Sequence, residues 1–528
     1  MTIEIHKGHV YAPSAIRSEN LSVFWKCFNS GFLLAACGLL LGVWLSKKVR
    51  NWRQKRFKFL KLAAKLPGPP ALPLIGNALY FACGSDEMLH RIVNLSKSYD
   101  TPARFWLGPK LYVVITKPGD IEVILGSAKA THKDSVYRFM EPFIGQGLVT
   151  GSGPTHRAHR KVIMPMLNGK VLDTFVEYFD RQSRCCVKEL EKLADTGEFD
   201  IYPFIEHCTI DIILETVIGT PGTTQQQEYK HLVEANRSMY KIVHSRMMKL
   251  WLHPNWIYAR TNYSEQQSTA MEVIHGFIES HIARKRKEHH AVQRGSVIPD
   301  RPRVMLLEQL IAHVEQTNLM DDIRLRDEVY TLFTAAQDTT AVISSFTLLM
   351  LGMHQTVQNK VRAELSEVLG EKNVTAEVLS KLRYLEMVIK ETIRLFPIAP
   401  LMLRELKGEV DLDSFPETCT LPEGCSVAIL AYQTHRDTRY WSNPDKFDPD
   451  RFLAENSVGR HPYAYIPFSG GFRGCIGQKF AMMCLKTIVA IIIRRYQLSC
   501  NGSLENLRLT TDISIRSIDG YKISITRV

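Results

Sequence analysis

The most informative stretch of this 528-residue sequence is Phe468-Ser-Gly-Gly-Phe-Arg-Gly-Cys-Ile-Gly477. A single cysteine, Cys475, lies in a glycine-rich loop whose backbone can curl around a sulfur atom. The apolar run 479–494 predicts a helix just after it, with amides and a dipole suited to stabilising a thiolate. Arg473 adds a cation that can pair with an anionic group on a ligand. The pattern therefore predicts a ligand-binding cysteine, although most intracellular cysteines are buried structural residues.

This pattern, Phe-x-x-Gly-x-Arg-x-Cys-x-Gly, resembles the haem-binding loop of the cytochrome P-450 superfamily, the haem-thiolate monooxygenases. The resemblance covers nearly all of residues 66–528. It implies that Cys475 is the fifth ligand of haem iron and that Phe468, Arg473 and Gly477 contribute to cofactor binding. The implied fold is mainly α (α+β), a single large catalytic domain with a small β-domain. Phe472 departs from the family pattern but removes no ligand.

The distribution of charge argues against a nucleic-acid partner. The net charge is +12, but residues 1–66 contain twelve Lys and Arg against two Glu, which is +10, so residues 67–528 carry only +2. The polar stretch 283–303 has no aromatic side chains interleaved with its charges, which favours a solvated loop. Basic residues concentrated beside an apolar segment are typical of a membrane surface.

The apolar segment is Cys27–Leu45, nineteen residues without a charge, and a run of Lys and Arg follows it. This length just crosses a hydrocarbon core, and the basic flank is expected on the cytoplasmic side. The sequence therefore predicts a luminal tail (residues 1–26), a transmembrane anchor (27–45), a basic and proline-rich linker (46–76) and a catalytic domain (77–528). A cleaved signal peptide and a mitochondrial transit peptide are the alternatives.

Glu391-Thr-Ile-Arg394 places an acid and a base on one face of a predicted helix. Alone this spacing is a weak signal, since surface pairs are common. In the resembled family these two residues meet an arginine of a later segment, which is Arg451 here. The resemblance implies a structural network of Glu391, Arg394 and Arg451 that supports folding and haem retention.

A long helix is predicted over residues 325–354, and its centre reads Thr334-Ala-Ala-Gln-Asp-Thr-Thr340. These polar residues interrupt an apolar helix, and buried polar groups need partners. A threonine bonded to its own i−4 carbonyl is the structural alternative. The segment resembles the oxygen-activation segment of the family, which implies catalytic roles for Thr339 and Asp338 in proton supply. Ala336 replaces the usual glycine, and Ala335 cannot esterify haem, so haem b is expected without a covalent bond other than Cys475–iron.

His156-Arg-Ala-His-Arg160 resembles a segment in which relatives carry Trp and Arg four residues apart, both reaching a haem propionate. Arg160 matches, whereas His156 replaces the tryptophan as a hydrogen-bond donor. Arg404 is a further candidate for a propionate. A basic, solvated helix start is the alternative.

The cysteine loop and His435-Arg-Asp437 resemble the family-four clan of fatty-acid ω-hydroxylases and insect relatives. The resemblance implies insertion of one oxygen atom from dioxygen into a lipophilic substrate such as a fatty acid, hormone or xenobiotic. It implies an NADPH-dependent cytochrome reductase as partner, cytochrome b5 as a further candidate, and the endoplasmic reticulum membrane as location. A haem-thiolate isomerase or dehydratase, a non-catalytic haem-binding membrane protein and a haem-free structural membrane protein are the rival classes. Reductase contacts are expected at Arg157, Lys161 and Lys479, and substrate contacts at residues 131–147, 241–263 and 397–403.

Overall fold

The computed structural model describes residues 17–221, 227–295, 305–317, 320–412 and 419–528. The chain divides into two compact units, Met1–Ala64 and Lys65–Val528. Helix α1 (Arg17–Ala64) makes up the described part of the first unit. The predicted anchor and the basic residues 46–64 therefore lie in one continuous helix, while residues 1–16 of the predicted tail lie outside the described residues. Within the residues described, no single helix has the length and hydropathy needed to cross a bilayer.

The proline-rich segment that follows α1 is extended over residues 67–71, turns tightly over 72–76, and belongs to the second unit. The backbone amide and Nε of Arg104 donate to the carbonyls of Pro67 (2.7 Å) and Leu66 (2.8 Å). A Cβ on Gly68 would come within 2.1 Å of the Arg104 carbonyl oxygen, so only glycine allows this approach. The segment thus packs as part of the catalytic unit.

The second unit is mostly helical. The helix predicted over residues 325–354 runs from Asp322 to Met353, and the Asp321 side chain caps it by accepting from the Arg324 amide. The helix predicted after the cysteine loop starts at Gln478. The helices are α2 Ser85–Ser98, α3 Pro118–Gly126, α4 Glu141–Ile144, α5 Gly153–Ile163, α6 Gly169–Leu190, α7 Tyr202–Ile213, α8 Gln227–Met248, α9 Asn255–Tyr258, α10 Asn262–Gln293, α11 Leu306–Thr317, α12 Asp322–Met353, α13 Gln355–Val368, α14 Ala376–Lys381, α15 Arg383–Leu395, α16 Ala431–Thr434, α17 Ala454–Ser457 and α18 Gln478–Arg495.

Small sheets complete the unit, with strands in the segments 103–116, 426–431 and 509–527 among others. The largest sheet has the order β1-β2-β8-β5-β3, in which only β2 and β8 are parallel. It therefore joins distant parts of the chain. The strands are β1 Ala103–Leu107, β2 Lys110–Ile115, β3 His132–Lys133, β4 Phe199–Asp200, β5 Met402–Glu405, β6 Val410–Leu412, β7 Cys419–Leu421, β8 Ser426–Ile429, β9 Tyr496–Ser499, β10 Leu509–Thr511, β11 Ile515–Ser517 and β12 Lys522–Arg527.

Helices α12 and α18 form the centre of the hydrophobic core. Helix α12 packs against α7, α15 and α18, and α18 also packs against α6 and α13. Phe346 on α12 stacks on Phe396 with ring centroids 4.1 Å apart. The cysteine loop leads into α18, so the core holds this loop and the polar centre of α12 in one rigid body.

Candidate functional site: a haem-thiolate site

The cysteine loop is held by its own backbone. The amide of Cys475 donates to the carbonyl of Phe468 (2.9 Å), and the Gly477 amide donates to the Cys475 sulfur. Gly471 has φ +59°, and a Cβ there would lie 1.9 Å from the carbonyl oxygen of Leu125 on α3. Glycine is therefore required at this turn, which fixes where the loop crosses α3.

The Cys475 side chain is exposed, yet protein surrounds it so closely that burial raises the pKa of its thiol. An accessible side chain in such surroundings lies in a concave part of the protein surface. The Gly477 amide and Arg160 act in the opposite direction, but they do not outweigh burial. Loss of water therefore dominates the pKa of the free thiol, and a bound metal is what deprotonates such a thiol.

One face of α12 is accessible although the helix is otherwise deeply buried. Ala335 is exposed, and Leu332, Ala336 and Thr339 are half-buried, so the open positions recur at i, i+3, i+4 and i+7. The Thr339 hydroxyl donates to the Ala335 carbonyl (2.8 Å), which is the i−4 bond considered as the structural alternative. The same threonine thus lies on the accessible face and adjusts the helix locally.

Asp338 points away from this face. Its side chain is 7% exposed and forms an ion pair with Arg516 of β11. Burial alone would lower the pKa of Arg516, but Asp338 and Tyr202 together raise it. The sequence interpretation missed Arg516, because it lies 178 residues beyond Asp338 in a short strand and no motif marks it.

Five basic side chains gather near the cysteine loop. Arg404, predicted here, is 2% exposed, and the register of β3 and β5 places Lys133, which was not predicted, directly opposite it. Like charges opposite each other destabilise a sheet. Burial, with Arg404 next, lowers the pKa of Arg473 to about 10. Burial, then Arg473, Arg160, Lys133 and Arg404, lowers the pKa of His156 to about 3.

Within the described parts of the chain, no carboxylate forms an ion pair with Lys133, His156, Arg160, Arg404 or Arg473. His156 is neutral at its lowered pKa, but the other four are cations, with Arg404 fully buried and the rest half-buried. Clustered cations with so little water are costly unless an anion joins them. Two carboxylates of a bound ligand would satisfy this cluster, so the residues present fit the propionates of haem.

Two of these arginines also tie the cysteine loop to the start of α5. Nη1 of Arg160 donates to the Gly474 carbonyl (2.5 Å). Nη1 and Nη2 of Arg473 donate to the carbonyls of Gly151 (3.0 Å) and Val149 (2.9 Å). Their predicted propionate contacts would use the remaining N–H groups, because part of each guanidinium is already engaged in positioning the loop.

Glu391, Arg394 and Arg451 meet in the interior. Glu391 accepts from Nε (2.7 Å) and Nη2 (2.8 Å) of Arg394, and Nε of Arg451 lies 3.4 Å from the same carboxylate. The Asp448 amide donates to Glu391 as well (2.9 Å). Arg394 further donates to the His435 carbonyl (2.9 Å). The network therefore ties α15 to the segment that precedes the cysteine loop.

A cavity of about 1030 Å³ lies between two of the predicted substrate segments and the start of α12. Arg138 and Tyr258 contribute to its lining, which includes neither Cys475 nor Thr339. Its mixed charges, with Arg246 and Asp327 among them, suit water more than a lipophilic substrate. The cavity is therefore separate from the predicted chemistry.

An accessible cysteine in close protein surroundings, an open helix face and a cation cluster suited to two carboxylates fit a flat iron macrocycle ligated through sulfur. By class, the protein is a haem-thiolate oxidoreductase. The family model described as "Cytochrome P450" matches residues 66–524, and the chain belongs to this family.

Individual relatives with similar sequences belong to the same family. Cytochrome P450 4c3 of Drosophila melanogaster is 32% identical over 494 residues, which is 90% of this chain and 91% of the relative. Cytochrome P450 4V2 of Homo sapiens is 34% identical over 514 residues, 94% and 95% of the two chains. Cytochrome P450 4g15 of Drosophila melanogaster is 28% identical over 541 residues, which is 90% of this chain and 94% of the relative. The predictions of the family, of a monooxygenase and of haem b with a cysteine thiolate ligand are confirmed.

Proposed function

We propose that the protein is a membrane-anchored monooxygenase in which Cys475 is the iron ligand and a lipophilic compound is the substrate: a fatty acid, a hormone or a xenobiotic. The observation that carries the proposal is Cys475 itself. Its side chain is exposed inside the fold while other cysteines of the same core, such as Cys208 and Cys484, are buried. Haem, when bound, supplies the activation of dioxygen.

The residues of α12 would serve the proton supply. The accessible face formed by Leu332, Ala335 and Ala336 offers an apolar wall, and Thr339 contributes the hydroxyl at its end. Asp338, one residue earlier, provides a carboxylate that can pass protons toward this hydroxyl. Such an apolar surface excludes bulk water, which is why protons need a defined carrier.

Electrons would come from NADPH through a cytochrome reductase, with cytochrome b5 as a second candidate donor. Arg157, Lys161 and Lys479 are exposed around the cysteine loop and suit an acidic partner surface. Phe472 is 52% exposed in the same loop, so this departure from the family pattern faces outward. We place the protein in the endoplasmic reticulum membrane through residues 27–45, with the catalytic unit on the cytoplasmic side.

The test is spectroscopic. The reduced protein with carbon monoxide should give the red-shifted Soret band of thiolate ligation, and Cys475→Ala should abolish it. Cys185→Ala is the matched control, since Cys185 is also exposed but lies on α6. An unchanged band in Cys475→Ala would refute the ligand assignment.

Substrate and partner need separate measurements. With a reductase and NADPH, products from a panel of lipophiles should carry one added oxygen atom, and turnover without NADPH would favour the isomerase class instead. Removal of residues 1–45 should release the protein from microsomal membranes; retention of full membrane association would argue against the anchor.

A further inference from the structure

Asp338 and Thr339 are neighbours in sequence but face different surroundings. Successive side chains of an α-helix diverge by about 100°. Thr339 lies on the accessible face of α12, whereas the Asp338 carboxylate turns toward β11 and pairs with Arg516. The carboxylate must therefore leave this partner, or rotate against it, before it can serve the Thr339 hydroxyl.

Arg516 is itself tied to other elements. Its Nη1 donates to the Tyr202 hydroxyl (2.9 Å), which donates in turn to Glu206 (3.4 Å) on the same helix, α7. Glu206 also forms an ion pair with Arg237 of α8, whose side chain is 48% exposed. A continuous series of polar contacts thus runs from α12 through β11 and α7 to the surface. A guanidinium fixed at two points is less free to follow a moving carboxylate than a solvated one.

The surroundings of the pair make its separation costly. Arg516 lies over the rings of Tyr202 (5.4 Å) and Tyr240 (5.9 Å), and Tyr202 stacks on Tyr521 (5.6 Å). Aromatic rings provide little solvation for a carboxylate, so an Asp338 side chain without its cation would be buried and uncompensated.

We propose that Arg516 is a positioning residue for the monooxygenase reaction: its guanidinium holds the Asp338 carboxylate on the β11 side of α12 and controls how readily it reaches Thr339. This inference rests on the proposed role of Asp338 and Thr339. Arg516 neither touches the substrate nor gives up a proton, because a guanidinium stays protonated. Its contribution is the orientation and release of the acid.

The experiment is a double-mutant cycle on the reductase-supported holoenzyme with a substrate found in the panel. Arg516→Gln, Asp338→Asn and the double variant are compared for product formed per NADPH consumed. We expect each single variant to lower this coupling at least ~3-fold, because Asp338→Asn removes the acid and Arg516→Gln leaves the buried carboxylate without the cation that keeps it charged and oriented. The double variant should be no worse than Asp338→Asn, because residues that act as one unit are not additive. The substrate dissociation constant from the Soret shift should stay within ~2-fold of the parent, since binding is not the affected step.

Controls separate positioning from folding. Arg508→Gln removes an arginine of the same β10–β11 region whose partner is the exposed Asp519. This variant should form as much product per NADPH consumed as the parent. Arg516→Lys keeps the charge and should recover part of the coupling. In urea, Arg516→Gln should lower the unfolding midpoint less in the Asp338→Asn background than in the parent, which reports the ion pair independently of activity.

The outcomes are distinct. The positioning role would be overturned if the coupling losses of the two single variants add in the double variant. It would also be overturned if Arg516→Gln forms as much product per NADPH as Arg508→Gln. If Asp338→Asn alone leaves coupling intact, the proposed proton role of Asp338 fails first, and the inference fails with it.

Discussion

Replacing Glu391 by Gln should destabilise the protein severely while leaving its shape nearly unchanged. Glu391 and Arg394 are both fully buried, and Glu391 holds the charge of Arg394 and, at 3.4 Å, that of Arg451. Glutamine keeps the volume and one acceptor oxygen. It removes the negative charge and points an NH₂ group at a guanidinium donor that has no use for it.

The magnitude follows from this geometry. Breaking a buried ion pair by neutralising one partner costs about 3–5 kcal/mol, and two arginines are left without compensation here, which favours the upper part of that range. Native proteins are stable by only about 5–15 kcal/mol. A loss of about 5 kcal/mol, the upper end of that range, lowers the ratio of folded to unfolded molecules by a factor of about 4,000.

Urea unfolding of the purified protein, followed by circular dichroism, measures this change, and the Soret band of the same samples reports haem retention. Glu377→Gln is the matched control: its pair with Lys381 (2.6 Å) is an i,i+4 contact with the Glu377 side chain 77% exposed. Its loss of stability should be small beside that of Glu391→Gln, because exposed ion pairs contribute little. Equal losses in the two variants would refute the argument that the buried network carries stability.

Two further changes test other buried charges. Burial, then Arg394 and Arg436, lowers the pKa of His435 from 6.5 to about 3. Protonation of His435 therefore favours the unfolded chain, and the protein loses about 2 kcal/mol of stability between pH 7 and pH 5. His435→Gln should flatten the pH dependence of the urea midpoint, and a pH dependence identical to that of the parent would contradict this. Lys133→Met should raise the urea midpoint of haem-free protein, because it removes repulsion from Arg404. It should also speed the transfer of haem to apomyoglobin, because a cation that contacts the propionates is lost. Slower haem transfer would count against a propionate contact.

Local sequence signals predicted the elements that local chemistry specifies. A glycine-rich loop before an apolar run marked α18 and the cysteine loop, and the bounds of α12 were predicted within about three residues. A proline-rich linker was predicted, but its docking onto Arg104 was not, because proline restricts the backbone of a free linker and of a docked segment alike.

Partners across long sequence separations could not be predicted from the residues alone. Lys133 faces Arg404 because the sheet brings together strands about 270 residues apart, and short strands of two to four residues carry too little pattern to fix such a register. Arg516 meets Asp338 for the same kind of reason. The charge on each was visible in the sequence, but whether a cation is solvated or buried depends on packing.

The two buried charge clusters show why this distinction matters. Glu391 satisfies its arginines within the protein, so that network contributes to the fold and needs no ligand. The cluster that contains Arg404 and Lys133 forms no ion pair with an acid among the described residues, so an outside anion would stabilise it. The same physical cost is therefore offset by the chain in one place, and the proposed propionate contacts would offset it in the other. Haem-free protein should consequently be loosened around β3 and β5, while α15 stays protected from hydrogen exchange. Hydrogen exchange measured with and without haem tests this. Equal protection of β3 and β5 in the two states would show that the reasoning is wrong.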